Sequence, residues 1–286
     1  MKYRHSFHAG NFADVHKHVT LLALLTALQK KDKGFLYLDT HAGRGSYDLS
    51  SPSLEAAAGI GRFASVEHSA PELRQYAALL AQFRAPHGQR HLYPGSPLIG
   101  ASALRPQDRA VLIEFLGAEA QALEASLAAL VPARSDAPRS VRVERGDGFE
   151  RLRAWLPPPE RRGLTFIDPP YEQTQQDFGH VTAALAEGLR RFPTGVFAAW
   201  YPIKDERSTA TWHAACARAL QAPLLVSELW LYPRDSQVGL NGSGLLIANP
   251  PYLTLERLQA WLPELKSSLA VGPSAGASAR MLSQSG

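Results

Sequence analysis

The sequence is poor in the features that mark several protein classes, and each shortage excludes something. A single cysteine, Cys216, among 286 residues rules out an intramolecular disulfide and any all-cysteine zinc site. Nothing approaches the roughly 20 consecutive apolar residues that a membrane-spanning helix needs, and the first residues lack the uninterrupted apolar run of a signal peptide. A reducing cytoplasm is the expected compartment. Internal repeats are absent. Charge is modest: charged residues make up 20% and hydrophobic residues 45%, the balance of an ordinary globular chain. The formal net charge of +4 and pI of about 9.2 are compatible with a polyanionic partner and equally with simple solubility. Motifs must decide between them.

Hydrophobic patterning gives an α/β reading. Residues 12–31 place Val15, Val19, Leu22 and Leu25 on one helical face and end in Lys30, Lys31 and Lys33, cations suited to a helix C-terminus. Seven strands are predicted: Phe35–Asp39, Ala110–Ile113, Val141–Glu144, Leu164–Ile167, Val196–Trp200, Ser227–Tyr232 and Gly244–Ala248. Helical patterns lie around Ala118–Leu130, Phe149–Trp155, Phe178–Phe192 and Ser208–Leu220. Strands that alternate with helices argue for a mainly parallel sheet covered on both faces. The last two strands are joined by a segment, Pro233–Ser243, too short for a helical crossover; they are expected to pair antiparallel, so that the final strand runs backwards. Residues 50–93, with Pro71–Arg84 as the clearest helix, read as an inserted helical subdomain between the two parts, 1–49 and 94–266, of the main domain. The Ser-, Ala- and Gly-rich tail, 267–286, is expected to be disordered.

Three strand ends carry acids. The first is Asp39-Thr40-His41-Ala42-Gly43-Arg44-Gly45, in which the glycines let the backbone pass close to a ligand; the second is Glu114; the third is Asp147-Gly148. A doubly wound sheet holds a nucleoside at such an edge, with a carboxylate accepting from ribose hydroxyls. The sharpest motif follows the fourth strand: Phe166-Ile167-Asp168-Pro169-Pro170-Tyr171. An adenine amino group is a poor nucleophile because its lone pair is delocalised into the ring. A methyltransferase therefore needs acceptors that hold both N–H groups and aim the lone pair at the methyl donor. Asp168 can accept one N–H and the Pro169 carbonyl the other. The prolines fix the turn, and Tyr171 offers a face for an extruded base. Asn249-Pro250-Pro251-Tyr252 has a similar form, but a strand running backwards puts it at the far edge of the sheet, in a structural role. The N-terminal cluster Tyr3, Arg4, His5, His8, His16, Lys17 and His18 suits phosphates, bases and a cofactor carboxylate. It is not read as a metal site, because His16 and His18, two apart on a helix, do not share a face. The arginines at 139, 142, 145, 161, 162, 190 and 191 could line a nucleic-acid groove or be solvated surface charge.

These residues resemble the bacterial 23S ribosomal RNA adenine-N6 methyltransferases of the RlmJ family. The likeness runs through Tyr3–Asn11, Leu36–Gly43, Tyr93–Ile99, Asp147–Phe149, Asp168–Tyr171, Trp200–Pro202 and Asn249–Pro251. It implies a Rossmann-like class I methyltransferase fold with an inserted helical subdomain, and S-adenosylmethionine as donor with no metal. It implies donor contacts at His18, His41, Ser96, Glu114, Asp147, Gly148 and Asp168, Asp168 as catalytic acceptor, and Tyr3, Pro169 and Tyr171 beside the substrate base. The implied substrate is adenine-2030 of protein-free 23S RNA, acted on by a monomer. Unlike the family's more polar, His-bearing stretch, Phe115-Leu116-Gly117 follows Glu114 here. A DNA adenine or glutamine-amide methyltransferase would share the acceptor logic, and a non-catalytic nucleic-acid-binding protein could share the fold.

Overall fold

The computed structural model describes residues 8–84, 91–130, 140–172, 174–236 and 239–283. Chain order is α1 (Phe12–Gln29), β1 (Leu36–Asp39), β2 (Ser46–Asp48), α2 (Leu54–Ala56), a π-helical turn (Ala57–Gly61), α3 (Arg62–Ala64), α4 (Pro71–Arg84), β3 (Leu92–Pro94) and α5 (Ser96–Ala103). It continues with β4 (Arg109–Glu114), α6 (Gly117–Leu130), β5 (Ser140–Arg145), α7 (Gly148–Trp155), β6 (Gly163–Ile167), α8 (Thr174–Arg191), β7 (Val196–Ile203), α9 (Glu206–Ala219), β8 (Leu224–Trp230), β9 (Gly242–Ala248), α10 (Thr254–Leu269) and β10 (Gly276–Met281).

The main sheet has eight strands in the order β10-β8-β9-β7-β6-β1-β4-β5. Parallel pairing joins β7, β6, β1, β4 and β5. The crossover from β7 through α9 to β8 leaves a slot that β9 fills, antiparallel to both neighbours, as the short connection before it predicts. Period-2 side-chain alternation splits the core: Phe35 and Tyr37 face a cluster built with α1, α4, α5 and α10, whereas Leu36 and Leu38 face one built with α7, α8 and α9. The strands of the sheet centre are buried on both faces and therefore read as continuous apolar runs.

Helix α1 begins where the Asn11 side chain caps the Asp14 amide at 2.9 Å, and most of its length is buried. Helices α2 to α4 do not form a core of their own: Phe63, Leu73, Tyr76, Leu80 and Phe83 continue the α1 cluster. They are bracketed by β2 and β3, which pair with each other antiparallel.

The seven-strand expectation is short by one, and the expected disordered tail is the reason. Gly276–Met281 pairs antiparallel with β8 across six residues, and the Gln259 amide donates to the Ala279 carbonyl. Small side chains, which argue against a hydrophobic core, are no obstacle to a ladder made of backbone groups. At Gly276 a Cβ would lie 2.2 Å from the Trp230 ring, so the composition that suggested disorder is what lets the strand lie flat on β8. Among the described residues no helix is long and apolar enough to cross a membrane.

Candidate active site

Register brings the acidic strand ends to one edge. Asp39 stands level with Leu112 of β4 and Phe166 of β6, and Glu114 level with Arg145 of β5. Asp39 is fully buried. Its carboxylate accepts from the Tyr37 hydroxyl at 2.9 Å and the His41 amide at 3.3 Å, and it bonds to the Ser96 hydroxyl. Burial pushes its pKa up to about 6, with the charge of Asp168 adding to the rise and the hydrogen bonds from Ser96 and Tyr37 opposing it.

Glu114 places one oxygen on the Gly43 amide at 2.8 Å and the other on the Leu116 amide at 2.7 Å. Gly43 has φ +62°, a conformation open to glycine at no steric cost, and this turn is what aims its N–H at the carboxylate. Burial raises the Glu114 pKa against those two amide bonds. Asp147 caps α7 through the Phe149 and Glu150 amides at 2.8 and 3.3 Å. Next to it Gly148 is required by contact: a Cβ there would sit 1.9 Å from the Thr40 carbonyl oxygen. The β1 and β5 turns thus touch backbone to backbone.

His41 bonds to the Thr40 hydroxyl at 2.8 Å and meets the Phe149 ring edge-on at 4.8 Å. Burial takes its pKa down to about 4 against the attraction of Asp168 and Asp147, so the ring is neutral near pH 7. His18, 1% exposed, bonds through Nδ1 to the Tyr93 hydroxyl at 2.8 Å, and that hydroxyl meets the one of Tyr76 at 3.0 Å. Ser96 opens α5 after Gly95.

The Asp-Pro-Pro-Tyr turn leaves β6 between these groups and α1. The Lys17 ammonium lies 2.6 Å from Asp168 Oδ2 and 2.8 Å from Asp14 Oδ1, and 5.3 Å above the Trp200 ring. Burial alone would lower the Lys17 pKa, but attraction to the two carboxylates and their hydrogen bonds outweigh it and raise it above the ordinary lysine value. Pro169 is buried and Pro170 exposed. Tyr171 is only 9% exposed. Its hydroxyl donates to the Trp200 carbonyl at 2.6 Å, and its ring packs edge-on against Trp200 and Phe178. It enters as a wall of the site rather than the open stacking platform suggested by the motif. Tyr3 lies outside the described residues.

Lys17 is the residue whose role the sequence reading missed, since it was grouped with the general N-terminal cluster. A signal was present: Asp14, Lys17, Leu21 and Leu24 share one helical stripe, and two charges on a stripe that goes on to fully buried leucines require a partner. His16 turns out to be structural, bridging Ser243 at 3.0 Å and Ser227 at 2.9 Å. The Asn249 motif is at the opposite edge, as expected: Ala248 pairs with Phe197 near the start of β7, and the Asn249 amide donates to the carbonyls of Pro193 and Gly195.

Asp14 and Asp168 face one ammonium, and the buried Asp39 carboxylate lies close enough to Asp168 to feel its charge. That acidic surplus beside a glycine turn and a carboxylate-bearing β4 end fits a cationic nucleoside such as S-adenosylmethionine. The strand order, the antiparallel β9 and an Asp-Pro-Pro-Tyr turn at the end of β6 together define a Rossmann-like class I methyltransferase.

Comparison with known proteins narrows this. Residues 32–281 match the family described as ribosomal RNA large subunit methyltransferase D, RlmJ. The chain is 39% identical over 274 residues to ribosomal RNA large subunit methyltransferase J of Escherichia coli K12, and 38% identical over 273 residues to the protein of the same name from Haemophilus influenzae, with 94% of each chain covered in both cases. The solved structure of protein LPL1258 from Legionella pneumophila superposes with a TM-score of 0.82 at 33% identity, covering 96% of this chain and 98% of that one. This chain belongs to the RlmJ family of ribosomal RNA large subunit methyltransferases.

Proposed function

We propose that this protein methylates the exocyclic amino group of an adenine in 23S ribosomal RNA, adenine-2030 in the family's usage, with S-adenosylmethionine as donor. We further propose that it acts as a cytoplasmic monomer on RNA free of ribosomal proteins. The observation that carries the reading is the buried Lys17–Asp168 pair at the Asp-Pro-Pro-Tyr turn. An amino-group acceptor has to be an immobile carboxylate, and the charge-assisted bond from the Lys17 ammonium at 2.6 Å holds Asp168 in place.

S-adenosylmethionine supplies a methyl group already activated on a sulfonium. The chain's part is to bind, orient and exclude water. Each Glu114 oxygen engages one backbone amide and keeps a lone pair for a ribose hydroxyl. Asp147 and Gly148 form the neighbouring wall at the β5 end, and His18, His41 and Ser96 line the side toward α1 and α5. With Lys17 on Oδ2, Asp168 Oδ1 remains to accept one amino N–H of the base, while the Pro169 carbonyl takes the other. Asp168 then receives the proton released after transfer. Tyr171, tied to Trp200, closes the pocket beside the base, and Tyr3 is assigned to the substrate side. Alignment supplies much of the rate.

The test is transfer of radiolabelled methyl from S-adenosylmethionine to unmodified 23S RNA, duplex DNA and a protein extract in parallel, with nucleoside analysis. Label recovered as N6-methyladenosine in RNA is the expected result. Label in DNA or protein would overturn the substrate, and donor binding with no transfer to any of them would favour a non-catalytic binding protein.

A further inference from the structure

Most cations around the catalytic edge are already neutralised. Lys17 sits between Asp14 and Asp168, Arg44 is paired with Glu119 at 2.9 Å, and Arg234 is paired with Glu206 and Glu228 at 3.1 and 2.8 Å. Lys204 differs. It follows the last residue of β7, is exposed, and its ammonium donates to the Thr174 hydroxyl at 2.9 Å and the Tyr171 carbonyl at 3.4 Å. Both partners are neutral. Among the described residues no carboxylate lies within ion-pair distance of it.

The stem is fixed as well. The Lys204 carbonyl accepts from the Asn241 side-chain amide at 2.7 Å, and the Asn241 backbone amide donates to the Ile203 carbonyl at 2.9 Å; Asn241 is fully buried. Two residues, Pro169 and Pro170, separate Tyr171 from Asp168, so their Cα atoms are at most about 11 Å apart. The charge of Lys204 therefore stands beside the catalytic turn, at its Tyr171 carbonyl, on a backbone that does not have to be ordered when substrate arrives.

We propose that Lys204 binds a phosphate of the substrate RNA next to the target adenine, and so sets the register of the strand against the Asp-Pro-Pro-Tyr turn. Phosphate is the anion that a nucleic-acid substrate brings to every such position, and an ammonium with only neutral partners gains a charge-assisted bond by taking it. This rests on the reading of the substrate as RNA. The contact is to backbone, so it adds affinity without sequence preference.

The experiment measures binding of a fluorescently labelled 23S RNA fragment, and of an unrelated RNA of the same length, against salt concentration for the wild type, Lys204→Met and Lys204→Arg. S-adenosylmethionine affinity and the single-turnover rate at saturating RNA are measured alongside. Lys204→Met is expected to weaken both RNAs about three- to tenfold and to reduce the slope of log affinity against log salt by about 0.7–0.9, one counterion's worth. Donor affinity should stay at the wild-type value, and Lys204→Arg should restore the slope. An unchanged slope with a reduced single-turnover rate would overturn the phosphate contact and make Lys204 a clasp on the catalytic turn alone. A wild type that neither binds nor methylates RNA would overturn the functional reading itself, an outcome visible before any variant is compared.

Discussion

The Lys17 ammonium stands 2.6 Å from the Asp168 carboxylate, both nearly enclosed by protein. Changing Lys17 takes the ammonium from Asp168, whereas changing Asp168 leaves Lys17 paired with Asp14. Removing one partner of a buried pair costs about 3–5 kcal/mol in general, and here the Lys17 ammonium is shared with a second carboxylate, Asp14.

Lys17→Met is therefore expected to lower the rate of methyl transfer by roughly 10- to 100-fold, the worth of a charged hydrogen bond of about 1.5–3 kcal/mol. Single-turnover kinetics at saturating RNA and donor read this directly. A rate near wild type would show that Asp168 needs no ammonium beside it.

Glu114→Ala is expected to weaken S-adenosylmethionine binding by about 1.5–3 kcal/mol, since it deletes the ribose acceptor and releases the Gly43 and Leu116 amides that shape the turn. Calorimetric titration of the donor checks this. Unchanged affinity would place the ribose elsewhere.

Asn249→Ala separates the two similar motifs. It removes two side-chain bonds, to Pro193 and Gly195, at a residue with φ +52°, a conformation in which asparagine is tolerated better than alanine. Chemical denaturation should show a loss of about 1–3 kcal/mol, while the single-turnover rate of the folded fraction stays at the wild-type value. A selective loss of turnover would give Asn249 a catalytic part.

Buried histidines give the stability a pH slope. The His16 pKa falls from 6.5 to about 3 on folding because burial disfavours its charged form. Between those values the unfolded chain binds a proton that the native one refuses, so stability falls on acidification by up to about 1.4 kcal/mol per pH unit. Asp39 acts with the opposite sign. Its pKa is raised to about 6, so the native state takes up that proton first as the pH drops through 6 and offsets part of the loss. His16→Gln should be less stable than the wild type at pH 7 but lose less between pH 7 and pH 5, as read by urea unfolding. Parallel pH curves would contradict this.

How far the site was legible in the sequence depended on whether the determinant was local. Asp168-Pro169-Pro170-Tyr171 could be placed at a strand end because the apolar run before it and the prolines after it are contiguous. The reversed β9 followed from a connection too short for a crossover, and that alone removed Asn249 from the reacting edge. Lys17 is different: its partner Asp168 lies 151 positions away, and helical periodicity shows that a charge is buried without showing what it meets. The β10 strand was illegible for another reason. What holds Gly276–Met281 is the open edge of β8, and a backbone ladder leaves little trace in composition. Tyr171 shows the limit of reading a motif by residue type, since an aromatic ring beside a reacting centre can be a platform or a wall, and the Trp200 carbonyl, 29 positions away, decides which.

The most direct measurement compares Asp168→Ala with the wild type for both donor affinity and methyl transfer to unmodified 23S RNA. Transfer abolished, with S-adenosylmethionine still bound at near wild-type strength, is the predicted result. Near-normal formation of N6-methyladenosine by the variant would contradict the assignment of Asp168 as the amino-group acceptor and, with it, the catalytic reading of the Asp-Pro-Pro-Tyr turn.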